Sequence, residues 1–147
     1  MKKLKTAARA VAVSAMVALG VVVGTSSPAL AYTPDNFSHC VLSCSSKVAG
    51  TITWYNRTAG VTGTVTDIGA GYTVAEFKAF AGSTQVGPTE TRTADDENPD
   101  LGQNRGFNFT MGDTNKPGGI DSIQVQVCHN IPNTAWTCSG WFTWIRN

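Results

Sequence analysis

Residues 106–127 read GFNFTMGDTNKPGGIDSIQVQV, and the pattern of this stretch determines the predicted fold. Apolar and polar residues alternate in two runs, one on each side of residues 112–119, which are rich in glycine and turn-forming residues. The apolar positions are Phe107, Phe109, Met111, Ile123, Val125 and Val127. Alternation of period two predicts strands with one buried face, and the intervening composition predicts a turn. We therefore predict two β-strands joined by a turn.

The same alternation recurs along the chain, and helix signals are almost absent. Further strands are predicted at residues 48–55, 60–67, 72–81, 89–93 and 140–146. About seven short strands separated by glycine-rich turns predict an all-β fold, an antiparallel β-sandwich. A small closed barrel is the alternative.

The first 31 residues have the pattern of a secretory signal peptide. Four basic residues fall within the first nine positions, an uncharged apolar run follows, and Ala29-Leu30-Ala31 places small residues where signal peptidase reads them. The apolar run is shorter than the roughly 20 residues that a membrane-spanning helix needs. We expect cleavage after Ala31, a secreted extracellular protein beginning at Tyr32, and no membrane anchoring.

The remaining chain is expected to form one domain. About 116 residues suit a single core. Cleavage would leave seven basic and ten acidic residues, a formal charge of −3, which argues against a nucleic-acid partner. Residues 32–39 contain Pro34 and no alternation, and they predict an extended N-terminal tail, with the β-sandwich domain at residues 40–147.

All four cysteines lie after the expected cleavage site, and this even number predicts a fold stapled by two disulfides. Three connectivities are possible among Cys40, Cys44, Cys128 and Cys138. By loop entropy a Cys40–Cys128 bridge would contribute ~4.6 kcal/mol, against ~2.7 for Cys128–Cys138 and ~2.1 for Cys40–Cys44. Proximity in the sequence favours the two local pairs, which we expect. The cysteine spacing is poor for zinc, so no metal and no cofactor are expected.

No catalytic site is predicted from the sequence. It contains no nucleophile elbow, zinc-protease helix motif or phosphate-binding glycine loop, and oxidised cysteines would provide no thiol nucleophile. His39 and His129 each adjoin a cysteine, and their simplest interpretation is as partly solvated residues beside disulfides.

The densest acidic group of the sequence raises the alternative of a calcium site. It comprises Asp95, Asp96, Glu97 and Asp100. Calcium sites use several such oxygens, but this run lacks the alternating ligands and central glycine of an EF-hand loop. A plain hydrophilic loop is the simpler interpretation.

Aromatic residues are the strongest candidates for partner binding, because aromatic anchors are enriched at binding hot spots. Trp136 lies in the loop closed by Cys128 and Cys138, and large rings occupy both faces of the last strand. Packing inside the sandwich is the alternative use of these rings. The tail is also a candidate, because an extended peptide with aromatic ends can bind a partner's groove. The candidate partner-binding residues are Tyr32, Pro34, Phe37, Trp136, Trp141 and Trp144.

An inhibitor of a hydrolase, either a protease or a glycosidase, is the alternative function. Small secreted inhibitors often present an exposed basic residue next to a disulfide to trypsin-like proteases. Lys47 lies three residues after Cys44, and Arg57 is a second exposed basic candidate.

Several runs resemble small secreted proteins of filamentous soil bacteria. They are GTVTD (63–67), FKAFAGS (77–83), TRTA (91–94), FNF (107–109), GD (112–113), and GGI (118–120) leading into VQVC (125–128). Such proteins are similar to the small B subunit of umbrella toxin particles, and the resemblance covers residues 60–138.

The resemblance implies a non-catalytic adaptor with an immunoglobulin-like β-sandwich. In those antibacterial particles the B subunit joins a lectin-bearing subunit, which has a degenerate trypsin-like domain, to a large repeat-containing toxin subunit. The N-terminal extension of the adaptor is expected to enter the cleft of the trypsin-like domain. In this chain, residues 32–37 would fill that role.

Overall fold

The protein is an antiparallel β-sandwich. The computed structural model describes residues 32–98 and 100–147, and the predicted signal peptide at residues 1–31 lies outside them. This part of the chain contains ten strands and one short 3-10 turn, Leu42–Cys44, but no helix long and apolar enough to span a membrane. The strands are β1 (Asp35–Val41), β2 (Ser46–Trp54), β3 (Thr58–Asp67), β4 (Tyr72–Ala81), β5 (Thr84–Gln85), β6 (Glu90–Ala94), β7 (Asn104–Gly112), β8 (Ser122–Asn130), β9 (Thr137–Cys138) and β10 (Phe142–Ile145).

Two sheets form the layers of the sandwich. The first has the strand order β1-β2-β3-β7, and the second has the order β10-β8-β4-β5, with β6 also paired to β4 and β9 to β8. Each predicted strand is present, whereas β1, β5 and β9 are additional. The predicted all-β sandwich is therefore confirmed. Its strand order differs from that of an immunoglobulin constant domain, in which the third strand crosses to the second sheet.

The core lies between the two layers, where the alternating apolar residues of both sheets meet. Phe77 of β4 is fully buried at its centre, and its ring meets those of Phe107 and Phe109 edge-on, with centroids 5.2 and 5.1 Å away. Val61 of β3 and Val125 of β8 are also fully buried. Burying one such side chain stabilises the fold by about 1.5–3 kcal/mol. The predicted inward faces are therefore the faces that form the core.

Two paired glycines allow β2 and β3 to pack closely under aromatic rings. Gly50 and Gly63 lie opposite each other in the ladder. A Cβ added to Gly50 would lie 2.9 Å from the ring of Phe37, and one added to Gly63 would lie 2.7 Å from the ring of Phe107. Each would also collide with a backbone carbonyl of the neighbouring strand. The rings thus cover a site that only glycine can occupy.

The expectation of an extended N-terminal tail over residues 32–39 is wrong from Asp35 onward. β1 is an edge strand that pairs with β2 from Asp35 opposite Ile52 to Val41 opposite Ser46. Phe37 is 4% exposed and belongs to the core. Most of the other side chains of β1 are polar and partly solvated, so Phe37 alone does not produce a recognisable alternation.

Candidate functional site

Four connections lie at one end of the sandwich, and both disulfides are at this end. The connections are the Leu42–Cys44 turn between β1 and β2, residues 68–71 between β3 and β4, residues 95–103 between β6 and β7, and residues 131–136 between β8 and β9. The disulfide Cys40–Cys44 closes the first connection and Cys128–Cys138 closes the last. The predicted pairing is therefore confirmed. We call these four connections and two disulfides the disulfide end.

Buried polar residues join the two sheets beneath the disulfide end. Ser46 and Asp67 are paired in the first sheet, and Thr73 and His129 are paired in the second. Ser46 Oγ lies 2.7 Å from His129 Nδ1, and the Thr73 hydroxyl donates a hydrogen bond to Asp67 Oδ1. Hydrogen bonds in a low-dielectric interior are strong and fix geometry. The strand ends that carry the four connections are therefore held together across the sandwich.

Ser46, His129 and Asp67 are the residue types of a serine hydrolase triad, but their geometry differs. In a triad the serine contacts one ring nitrogen of the histidine and the carboxylate contacts the other. Here Ser46 Oγ and Asp67 Oδ1 lie 2.7 and 3.5 Å from the same atom, His129 Nδ1. Ser46 is also fully buried, so its hydroxyl cannot reach an external substrate. The contacts of this group are those of a structural network.

Hydrogen bonds and aromatic contacts connect these loops to one another and to the strand ends. The Ile68 amide donates to the Ser45 carbonyl at 2.9 Å, which ties residues 68–71 to the 3-10 turn. The Gly69 amide donates to Asp96 Oδ2 at 2.9 Å, which ties the same residues to the β6–β7 connection. The Trp136 ring meets the Tyr72 ring edge-on at 5.7 Å. Three of the connections are therefore hydrogen-bonded to one another, and the fourth contacts the first residue of β4.

The Leu42–Cys44 turn has an unusual backbone conformation. Leu42, Ser43 and Cys44 have φ values of 51°, 53° and 67°, in the left-handed region. This region costs a non-glycine residue about 1–2 kcal/mol. The Cys40–Cys44 disulfide closes the turn, and Leu42 is left exposed. Strained residues that the surrounding structure holds in place are a recurrent feature of ligand-contacting segments.

Large apolar side chains are exposed on the connections of the disulfide end, which also carry a group of acids. Leu42, Ile68, Ile131 and Trp136 are 46, 52, 41 and 51% exposed. The acidic residues of the 95–103 connection are partly or fully exposed. Exposed apolar groups with a polar rim are typical of protein interfaces, and complementary charge gives them specificity. The surface suits a protein with an apolar contact area and basic side chains around it.

Of the predicted partner-binding residues, Trp136 alone belongs to the disulfide end. Phe37 is in the core, and its ring lies 5.7 Å from that of Trp144, which is half-buried. Trp141 is also half-buried, with the Lys78 ammonium 4.0 Å from its ring centroid. Trp141 and Trp144 therefore serve partly in packing, whereas Phe142 of β10 is 42% exposed.

The first described residues lie toward the opposite end of the sandwich. Tyr32 is half-buried against the core, and the Arg146 guanidinium lies 5.6 Å from its ring centroid. Arg146 also donates a hydrogen bond to the Asn56 carbonyl at 2.7 Å, in the connection between β2 and β3. Pro34 is exposed. Tyr32 and Pro34 therefore do not contribute to the disulfide end.

The aliphatic members of this surface were not among the residues predicted to bind a partner. Leu42 lies between two cysteines, and Ile68 immediately precedes the glycine-rich residues 69–71. An apolar residue inside a stretch with turn composition is the signal that could have identified them, since the turn composition predicts exposure.

The basic residues considered for protease inhibition are not presented on the disulfide end. Lys47 lies within β2, opposite Cys40 of β1 and Thr66 of β3. Its backbone is paired on both sides, so Lys47 is not presented on a protruding loop. Arg57 lies in the β2–β3 connection at the opposite end and donates a hydrogen bond to the Thr114 carbonyl at 2.6 Å.

His39 contributes to closing the edge of the sandwich. Its ring stacks on Phe142 of β10 with centroids 3.8 Å apart and an interplanar angle of 12°. Its Nε2 atom is buried without a hydrogen-bond partner among the described residues, and burial lowers the pKa of this imidazole below its usual value of 6.5. His129 contacts Ser46 instead, so the two histidines have separate roles.

No protein-family model, curated protein or solved structure matches this chain.

Proposed function

We propose that the protein is a secreted, non-catalytic binding module that uses its disulfide end to contact a protein partner. The observation that carries this proposal is the group of exposed apolar side chains on connections that two disulfides and several hydrogen bonds hold in place. A surface that is ordered before binding loses little conformational entropy when it binds. The arrangement resembles other β-sandwich binders, which recognise ligands through loops clustered at one end.

Two features support secretion. The first 31 residues have a signal-peptide pattern, and both cysteine pairs form disulfides. Disulfides persist in oxidising compartments and are rare in the cytosol. Secretion therefore accounts for both features.

We further propose that the module is an adaptor in an extracellular antibacterial toxin particle. It would join a lectin-bearing subunit with a degenerate trypsin-like domain to a large repeat-containing toxin subunit. The resemblance of residues 60–138 to the B subunit of umbrella toxins supports this role. Insertion of residues 32–37 into a partner would require Phe37 to leave the core. We therefore propose that the disulfide end, and not the tail, contacts one of the two subunits.

Capture from culture supernatant with matched surface variants tests the proposal. Trp136→Ser removes the largest exposed ring of the disulfide end, and Tyr55→Ser removes a ring of similar exposure, 49%, in the β2–β3 connection at the opposite end. We expect the wild-type chain and Tyr55→Ser to capture a lectin-bearing protein and a large repeat-containing protein. Trp136→Ser should lose at least one of them by roughly tenfold or more, as expected for a hot-spot residue worth about 2 kcal/mol.

Both variants should melt close to the wild type, which separates lost binding from lost folding. If Trp136→Ser retains capture while Tyr55→Ser loses it, the interaction surface lies at the opposite end. If the captured proteins include neither subunit, the adaptor role is wrong, whatever the variants show.

Inhibition of a hydrolase is the second candidate, and the Leu42–Cys44 turn favours it. A disulfide-closed turn with an exposed apolar residue could occupy a protease cleft in a fixed conformation. Leu42 would suit an apolar specificity pocket, in contrast to the trypsin-like specificity that Lys47 suggested. Nanomolar inhibition of a chymotrypsin-like protease, lost in Leu42→Ser, would favour the inhibitor. Nanomolar inhibition of an amylase would also favour the inhibitor function over the adaptor function, with a glycosidase as the target.

A further inference from the structure

Asp67 is fully buried at the end of β3 and has an unusual environment for a carboxylate. Its Oδ1 atom accepts the hydrogen bond of Thr73 and lies 3.5 Å from His129 Nδ1. Its Oδ2 atom has no hydrogen-bond partner among the described residues. A buried carboxylate oxygen without a partner is strongly unfavourable unless a positive charge or a proton compensates it.

Two further carboxylates lie beside Asp67. One carboxylate oxygen from each of Asp67, Asp95 and Asp96 lies within 4.8 Å of the other two. Three negative charges at this separation repel one another. Two oxygens bound to one calcium ion at roughly 2.4 Å can be up to about 4.8 Å apart, so the three carboxylates are close enough to share a single ion.

Backbone amides orient the two loop carboxylates. Asp96 Oδ2 accepts from the Gly69 amide at 2.9 Å. Asp95 Oδ1 accepts from the Glu97 and Asn98 amides at 3.0 and 3.1 Å. These bonds engage one oxygen of each carboxylate, and its second oxygen can bind an ion. The site is therefore ordered by contacts that do not depend on the ion.

We propose that Asp67, Asp95 and Asp96 bind one calcium ion at the disulfide end. Calcium takes six to eight oxygen ligands in flexible geometry, whereas magnesium requires a near-ideal octahedron. Asp96 is exposed, so water can complete the coordination shell. A site with three carboxylates on two separated segments resembles weak extracellular calcium modules, with a Kd of about 10⁻⁴ to 10⁻³ M.

The ion would compensate the buried charge of Asp67 and tie the β6–β7 connection to the end of β3. This inference revises the expectation of a chain without metal, and it does not depend on the adaptor proposal. Asp67 ends β3 and is far in the sequence from the acidic β6–β7 connection, so no local pattern groups the three carboxylates.

Thermal unfolding of the protein with both disulfides intact tests the site. The melting temperature is measured in EDTA, in 5 mM calcium chloride and in 5 mM magnesium chloride. For a Kd of about 10⁻⁴ to 10⁻³ M, 5 mM calcium stabilises the fold by about 1–2 kcal/mol, so we expect it to raise the melting temperature by about 4–15 °C and magnesium by less than about 1 °C. Titration calorimetry should give one calcium per chain.

Two isosteric Asp→Asn variants, each of which removes one negative charge, separate a specific site from general charge effects. Asp96→Asn removes one ligand charge but keeps an oxygen that can accept the Gly69 hydrogen bond, so the fold should be retained. It should lose most of the calcium shift, and in EDTA it should melt at or above the wild type because repulsion is relieved. Asp113→Asn removes the same charge at the opposite end, next to Gly112 opposite Thr58, and should keep the full shift.

The absence of a calcium shift in the wild type would overturn the proposal. It would show that the three carboxylates do not share a calcium ion. An equal shift with magnesium, or a full calcium shift in Asp96→Asn, would also overturn it.

Discussion

Replacing Phe37 by alanine tests whether β1 belongs to the folded core. Phe37 is 4% exposed, and its ring makes edge-on contacts with Phe77 at 6.1 Å and Trp144 at 5.7 Å. Truncating a buried phenylalanine to alanine costs about 3–5 kcal/mol, and this figure includes the cavity left behind. We expect about 3–4 kcal/mol, because an edge strand can shift to fill part of the cavity. The corresponding fall in melting temperature is roughly 10–20 °C.

Urea unfolding monitored by tryptophan fluorescence, with both disulfides oxidised, measures this loss. The midpoint should fall while the m-value stays constant, which indicates a change in stability alone. Ser38→Ala is the matched control, because Ser38 is the next residue of β1 and is exposed. It should change the free energy of unfolding by less than about 0.5 kcal/mol. If Phe37→Ala costs less than about 1 kcal/mol, the ring is outside the core and residues 32–39 are a tail after all.

Two further substitutions test the packing of the sandwich. Burial lowers the pKa of His39 below 6.5, so the unfolded chain binds a proton on this imidazole more readily than the folded chain does. Burial of the neutral ring therefore contributes stability above about pH 6.5, and this stability is lost as the pH falls below that value. His39→Phe keeps the stack on Phe142, so its melting temperature should fall less than that of the wild type between about pH 7.5 and 5; an equal fall would assign the acid sensitivity to other groups. Gly63→Ala should lower the free energy of unfolding by about 2 kcal/mol in chemical denaturation, because the new Cβ collides with the Ala49 carbonyl. Gly106→Ala, whose Cβ has room, should be nearly neutral, and similar values for the two variants would contradict the close packing of β2 on β3.

Local pattern determined most of the sheet content. β4 has the bounds predicted for it, Tyr72 to Ala81, because Ala75, Phe77 and Ala79 share one face and the charged Glu76 and Lys78 lie on the other. Alternation is a property of neighbouring residues, and burial of one face of a strand is sufficient to produce it. The Cys128–Cys138 disulfide was predictable for a similar reason, since the two cysteines lie close in the sequence and face each other in the β8–β9 hairpin.

The use of each aromatic residue was decided by tertiary structure. Phe37 and Trp136 both stood out as candidate anchors, yet the first is in the core and the second is half-exposed. Whether a ring is covered depends on which strand of the facing sheet lies over it. That relation joins distant parts of the chain and leaves no periodic trace in the sequence.

The composition of the disulfide end was likewise decided by tertiary structure. Ser46 and His129 are 83 residues apart in the chain and form one buried hydrogen bond. Asp67 completes the acidic group only because β3 ends beside the β6–β7 connection. The sequence alone therefore determined most of the strands, the favoured local disulfide pairs and the number of acids. The association of the two sheets determined which side chains meet, because hydrogen bonds and charge interactions act over a few ångströms in space, whatever the separation along the chain.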